Sequence, residues 1–116
     1  NPLIISRGQD AVPELVNPKG IALGFDRGPI FDANLTEEVH VLKPGDRVVA
    51  YTDGVVEAMS ENSEEYGTEH FYELCRKVGE HESRVFIESI LADLAQHRGR
   101  AEQSDDITIS TFRVLG

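Results

Sequence analysis

The sequence predicts an α+β domain in which a helical hairpin lies across a sheet that is buried on both faces. Three observations carry this expectation. "RVVAYT" (47–52) places Val48 and Ala50 on one face and Val49 and Tyr51 on the other, so each face of that strand needs a cover. Two consecutive segments between 68 and 99 combine helix start and stop residues with apolar stripes. "ITISTFRV" (107–114) then closes the chain with β-branched and aromatic residues suited to a last strand.

Taken in order, residues 1–35 are rich in Pro and Gly, with "NPKG" at 17–20 and "RGP" at 27–29, and read as short strands joined by turns. "EVHVL" (38–42) and "RVVAYT" flank "KPGD", where Pro44 and Gly45 suit the central positions of a type II turn, so an antiparallel hairpin is expected. After a polar loop, Thr68 is placed to cap a helix running to about Gly79, and Ser83 to cap another ending near Gly99. Phe71, Leu74, Cys75 and Val78 make the buried stripe of the first, and Ile87, Ile90, Leu91 and Leu94 that of the second. Cys75, the sole cysteine, therefore reads as a small core hydrophobe, and no disulfide can form within one chain.

With 116 residues the chain makes one domain at most, burying about two thirds of the surface its unfolded form exposes. It opens on Asn1 and runs straight into "NPLIIS", which suggests a piece cut from something longer. The balance of 21 Asp+Glu against 11 Lys+Arg, formally −10, repels phosphate backbones and anionic lipid, and argues against nucleic-acid or membrane-surface binding. No apolar run approaches the roughly 18 residues that span a bilayer, and no leader pattern precedes the first strand, so a soluble, cytoplasmic chain is expected.

The chemistry concentrates in carboxylates at strand ends. The apolar run 47–52 stops on Asp53-Gly54, and the last strand is preceded by Ser104-Asp105-Asp106. If these two strands are antiparallel neighbours, the exit of one lies beside the entry of the other, and the acids gather at one sheet edge. Two carboxylates about 5 Å apart repel by roughly 3 kcal/mol at an effective dielectric near 20, so such a group needs a cation or a shared proton. All candidate ligands are hard oxygens, with no His or Cys nearby in sequence, which favours Mg²⁺ or Mn²⁺, or Ca²⁺, over Zn²⁺ or copper. Side chains alternate along a strand, so only one of Asp105 and Asp106 is expected to face Asp53. The plainer alternative is an ordinary Asp-Gly turn and a solvated loop. There is no Walker loop, G-x-S-x-G elbow or Cys/His ligand spacing, and His40, His70, His81 and His97 form no visible pattern.

The run "LKPGDRVVAYTDGVVEAMSENSEEYG", followed by two helices and "SDDITISTFRV", resembles the C-terminal half of metal-dependent protein serine/threonine phosphatases of the PPM type, specifically their SpoIIE-like bacterial branch. "NPLIISRG" and "GIALGF" resemble segments of the same branch, though a double Pro is more usual where this chain has Asn1-Pro2-Leu3. The resemblance implies an α/β (α+β) fold, an antiparallel β-sandwich flanked by antiparallel helices, of which residues 1–116 form the C-terminal part. It implies a dinuclear Mn²⁺ or Mg²⁺ centre whose activated water attacks phosphoserine or phosphothreonine in line, with no phosphoenzyme. By position, Asp53 and Asp105 match ligands of one metal of that pair. Gly54 matches the glycine that keeps the turn open, Asp106 a loop-supporting position, and Glu57 an acid expected to make a structural hydrogen bond more than to bind metal. Thr52 and Thr108 read as strand residues, and Tyr66-Gly67 stands where Phe-Gly is more usual, as a packed aromatic beside a turn.

The acid that bridges both metals in such phosphatases, with its Gly-rich motif, lies upstream of the matched segments, and Asp10, Asp26 and Asp32 lack that motif. The chain alone is therefore expected to be inactive, to pair with the missing N-terminal half, or to self-associate. The resemblance also implies a phosphoprotein substrate, with an anti-sigma factor antagonist as the leading expectation. A noncatalytic PPM-like scaffold in a phospho-signalling pathway is the alternative, and an acidic module holding a single Ca²⁺ a third.

Overall fold

The fold is built around a strand that has no free edge and packs apolar side chains on both faces. The computed structural model describes residues 1–17, 21–25, 38–103 and 106–115. Its elements are β1 (Leu3–Ser6), β2 (Glu14–Val16), β3 (Ile21–Phe25), β4 (Glu38–Leu42), β5 (Arg47–Tyr51), α1 (Asp53–Val56), α2 (Thr68–Val78), α3 (Ser83–Arg98) and β6 (Ile109–Arg113). One sheet has the order β2-β1-β5-β6 and is antiparallel throughout; β3 and β4 pair in a second sheet and run parallel. The turn segments expected at 18–20 and 27–29 lie outside the described residues.

The expected double burial of β5 is what the structure shows. Val49 and Tyr51 join Ile4, Val55, Val56, Phe71, Cys75, Phe86, Ile90 and Leu94 in the larger core, under the α2–α3 pair. Val48 faces the other way and packs with Ile5, Val16, Leu42 and Val114. Leu42 brings β4 against this second face, so the two sheets meet there. Alternation along β5 thus assigns its side chains to two separate cores, which makes a one-residue slip of register prohibitive.

The expected β4–β5 hairpin does not form. The "KPGD" turn itself has the geometry read from the sequence: the Asp46 amide donates to the Lys43 carbonyl at 3.0 Å, and Gly45 takes a φ of 92°. However, the turn's polar groups are committed to β6, because the Gly45 amide donates to the Val114 carbonyl and the Val114 amide to that of Asp46, each at 2.8 Å. Both edges of β5 are occupied by β1 and β6, so the turn carries the chain from one sheet to the other instead of folding it back. Asp46, nearly buried, fixes the turn by accepting from the Lys43 amide at 2.9 Å and from Arg7 Nη1 at 2.5 Å.

Helix α2 buries Phe71 and Cys75 as expected, with Leu74 and Val78 partly covered. Burial pushes the Cys75 thiol up to about 12, partly opposed by the charge on Arg47. The stripe on α3 differs from expectation: Phe86, Ile90 and Leu94 are buried, Ile87 flanks them, and Leu91 is 47% exposed. Phe86, whose ring lies under the Arg47 guanidinium at 4.4 Å, takes the central place and sets the rotation of the helix. Neither helix is capped by the expected hydroxyl. Gly67 and Glu82 are the N-cap residues, and Thr68 and Ser83 are each the first helical residue.

Ser83 is used differently, by a charge that is fully buried. Arg47 donates from Nε to the Gly79 carbonyl at 2.9 Å, from Nη1 to Ser83 Oγ at 3.0 Å and Thr111 Oγ1 at 2.9 Å, and from Nη2 to the His81 carbonyl. Desolvation lowers its pKa, and Arg113 adds to that. Gly79 lets the end of α2 pack closely on β1, since a Cβ there would lie 2.7 Å from the Cys75 carbonyl and 2.9 Å from Ser6 Oγ. Replacing Arg47 by Leu leaves the carbonyls after α2 without a donor in the interior. The variant is expected to lose about 2–4 kcal/mol in urea unfolding, and a loss under about 1 kcal/mol would contradict this account.

Candidate metal centre

The edge expected to gather the acids does form. β5 and β6 pair antiparallel with Tyr51 opposite Ile109, so the exit of the first meets the entry of the second. The ladder continues one residue beyond the strands, because the Thr52 amide donates to the Thr108 carbonyl at 3.1 Å. The Thr52 hydroxyl then acts twice, accepting from the Thr108 amide at 3.0 Å and donating to the Asp106 carbonyl at 3.2 Å. Thr52 is more than the strand residue the sequence suggested: it ties the backbone beside Asp53 to the segment that carries the second acidic motif. Its signal was in the sequence, as a hydroxyl immediately before an Asp-Gly at a strand end.

Asp53 is exposed, and it begins α1 rather than ending a strand. The short helix is defined by Val55 N–H to Thr52 O at 3.0 Å and Glu57 N–H to Asp53 O at 2.9 Å. Gly54 is buried inside this turn of helix, so the open-turn role expected for it is replaced by a helical one. Glu57 is the C-cap residue; its carboxylate is exposed and makes no hydrogen bond among the described residues. Asp106 is exposed and held at its carbonyl by Thr52. Ser104 and Asp105 lie outside the described residues.

The donors at this edge are carboxylate and hydroxyl oxygens, which suit a hard cation such as Mg²⁺ or Mn²⁺. Among the described residues no three His, Cys, Asp or Glu side chains converge to hold a metal ion. An open cleft of about 450 Å³, lined by Arg7, Gly45, Asp46, Glu80 and Arg113 among others, lies at the opposite end of β5 from these acids.

A second polar cluster was not legible as one in the sequence. Tyr66 is buried and donates from Oη to Asp93 Oδ2 at 2.6 Å, and His70 Nε2 donates to the same oxygen at 2.6 Å. The rings of His70 and His97 meet that of Tyr66 edge-on at 4.6 and 5.5 Å, and His97 Nε2 donates to the Glu64 carbonyl at 2.9 Å. Two of the four histidines therefore converge after all. Burial raises the Asp93 pKa, but the bonds from Tyr66 and His70 and the charges of both histidines outweigh it and leave the carboxyl below its ordinary value. The available signal was Asp93 and His97 one turn apart on α3.

The antiparallel sheet under a pair of helices is shared with solved phosphatase domains. The SiaA PP2C domain of Pseudomonas aeruginosa matches with a TM-score of 0.72 and 25% identity, over 97% of this chain and 42% of that one. The phosphatase domain of the cell fate determinant SpoIIE from Bacillus subtilis, soaked with manganese, matches with a TM-score of 0.59 and 19% identity, over 99% of this chain and 47% of that one. A further structure of the same domain gives 0.59 and 18% over 99% and 48%. At those identities the SpoIIE structures show a shared fold. The family model for stage II sporulation protein E (SpoIIE) matches residues 1–115, and the chain belongs to that family. No curated protein sequence matches it. The chain spans less than half the length of the solved domains it resembles. No helix among the described residues is long and apolar enough to cross a membrane.

The Thr52 tie has a measurable consequence. Thr52→Val keeps the strand shape and removes both hydroxyl bonds, so the Thr108 amide is expected to exchange at least roughly fivefold faster, with α3 unchanged. Unaltered exchange at Thr108 would show that the hydroxyl holds nothing.

Proposed function

We propose that these residues are the C-terminal part of the catalytic domain of a metal-dependent protein serine/threonine phosphatase. The observation that carries the proposal is the Thr52 bridge, which holds Asp53 beside the 106–108 backbone in a chain of the SpoIIE family. Asp53 and Asp105 are the proposed ligands of one Mn²⁺ or Mg²⁺ of a pair, with the acid that joins the second metal supplied from outside this chain. The ions supply an acidified water and neutralise charge on the transferring phosphoryl group. The chain's own contribution is placement: β5 is paired on both edges and Thr52 ties its exit to β6, which limits how far Asp53 at the start of α1 can move with a substrate or away from a neighbouring carboxylate. Asp106 supports the loop through its backbone, Gly54 packs inward from α1, and Glu57 is free to act from the outer side of the site.

The proposed substrate is a phosphoserine or phosphothreonine on a regulatory protein, an anti-sigma factor antagonist in the leading version. The rest of the domain is the proposed cover for the second sheet face. An apolar groove of about 250 Å³ there, between Leu3, Val48, Ala50 and Phe112, supports this, as does the 46% exposure of Phe112. The competing reading is a noncatalytic PPM-like scaffold in a phospho-signalling pathway.

Turnover separates the two. In the protein carrying its complete phosphatase domain, Asp53→Asn and Asp105→Asn are each expected to lower Mn²⁺-dependent phosphate release by roughly a hundredfold or more, with unchanged far-UV circular dichroism. Near-normal turnover in either variant removes that residue from the metal site. Absence of turnover in the parent favours the scaffold.

A further inference from the structure

We infer that Asp93 is a positioning residue for Asp53, acting through Tyr66 and the 57–67 segment. What Asp53 does rests on the phosphatase reading; that Asp93 holds it rests on geometry alone.

Helix α1 has four residues, far too few to be stable by itself, so its orientation must come from its neighbours. On the inner side Val55 and Val56 are anchored in the main core. At its C-terminal end it is anchored by the far end of the segment that follows it. The Gly67 amide donates to the Val56 carbonyl and the Tyr66 amide to that of Ala58, each at 2.8 Å. Between them, Met59 bridges to Glu65, and the Ser60 amide donates to the Glu64 carbonyl at 2.8 Å. Residues 57–67 thus form a closed loop whose two ends are stitched to each other beneath α1.

Three contacts hold that loop to the body of the domain: Glu61 accepts from the Arg100 amide at 2.6 Å and Glu64 from His97, both near its exposed tip, while Tyr66 makes the contact at the buried end that adjoins α1. The Tyr66 ring lies among His70, Phe71 and His97, and its hydroxyl reaches Asp93 on α3. α3 is the longest helix, with 16 residues, and is rooted in the core by Phe86, Ile90 and Leu94. A single oxygen of Asp93 receives both Tyr66 Oη and His70 Nε2, so the loop, α2 and α3 converge on one acceptor. Hydrogen bonds to a charged acceptor are stronger and shorter than neutral ones, which suits a fastener that must hold a loop in register. His97 closes the outer side by donating to the Glu64 carbonyl. The path from Asp93 to Asp53 is therefore Tyr66, Gly67, Val56 and the single turn of α1. Each step is a hydrogen bond or a covalent link.

A residue that merely joined α2 to α3 would leave α1 alone when removed, and this is the basis of the test. Hydrogen exchange is measured by mass spectrometry on the protein with its complete phosphatase domain. Asp93→Ala and Tyr66→Phe are each expected to raise exchange across 53–67 about tenfold while 86–94 stays as protected as in the parent. Asp93→Asn, which keeps an acceptor for Tyr66, should restore most of that protection. If Asp93→Ala fails to fold, Tyr66→Phe, which keeps the ring, decides alone. Exchange in 53–67 that is unchanged, or that rises equally in 86–94, overturns the inference.

A second readout uses Mn²⁺-dependent hydrolysis of an aryl phosphate. Tyr66→Phe should raise the apparent KM for Mn²⁺ about tenfold and leave kcat at saturating Mn²⁺ within roughly twofold, as expected when a ligand is misplaced rather than lost. A fall in kcat with an unchanged Mn²⁺ requirement counts against Asp93 as a positioning residue. If the parent shows no turnover at all, the phosphatase reading fails, and the exchange data still decide whether Asp93 holds α1.

Discussion

A guanidinium with no exposure and no carboxylate beside it is the constraint on which this structure turns. Arg47 stands at the start of the central strand and spends its donors on the carbonyls of Gly79 and His81 and the hydroxyls of Ser83 and Thr111. The carbonyls belong to the connection that leaves α2, where the backbone carries partial negative charge. Burying an arginine there is tolerable because each of its donors meets an oxygen, and the buried Gly79 carbonyl in particular needs one. The result is a polar pin through an apolar layer. It fixes where α2 ends and α3 begins relative to β5, and Gly79 lets the same backbone lie close against Ser6 of β1.

From that pin outward, each feature of the edge that carries Asp53 follows. With α2 and α3 held over one face of β5, Val49 and Tyr51 are committed to the core beneath them, and Val48 to the opposite side. With both edges paired, β5 has no freedom of register, and its exit is delivered to one place beside β6. Thr52 carries the pairing past the strand ends, and α1 turns Asp53 outward into solvent. The site is thus positioned from two directions: by the sheet through Thr52, and by α3 through Asp93 and the 57–67 loop.

The sequence made the central strand legible because hydrophobicity on both faces has a single structural meaning in a short strand. The meeting of the β5 exit with the β6 entry was expected on the condition that the two strands are antiparallel neighbours, which they are, and the family resemblance was carried by residues that sit at this edge. The hairpin expectation failed for a nonlocal reason. "KPGD" has the right local turn, but its amides bond to Val114, some seventy residues later in the chain, and no local pattern announces that. The rotation of α3 was missed because Phe86 is anchored by Arg47, again a distant partner. Histidines 70 and 97 looked scattered because they converge only once α2 and α3 fold against Tyr66. Local propensity identifies elements, and long-range hydrogen bonds decide how they are joined.

We propose that β5 is a rigid mount delivering Asp53 to a metal shared with Asp105. The most direct test is anomalous diffraction at the manganese edge, on crystals of the protein with its complete phosphatase domain grown with Mn²⁺. The account predicts an anomalous peak within coordination distance of carboxylate oxygens from both Asp53 and Asp105. A peak held by only one of them, or manganese bound elsewhere with both carboxylates turned away, would contradict it.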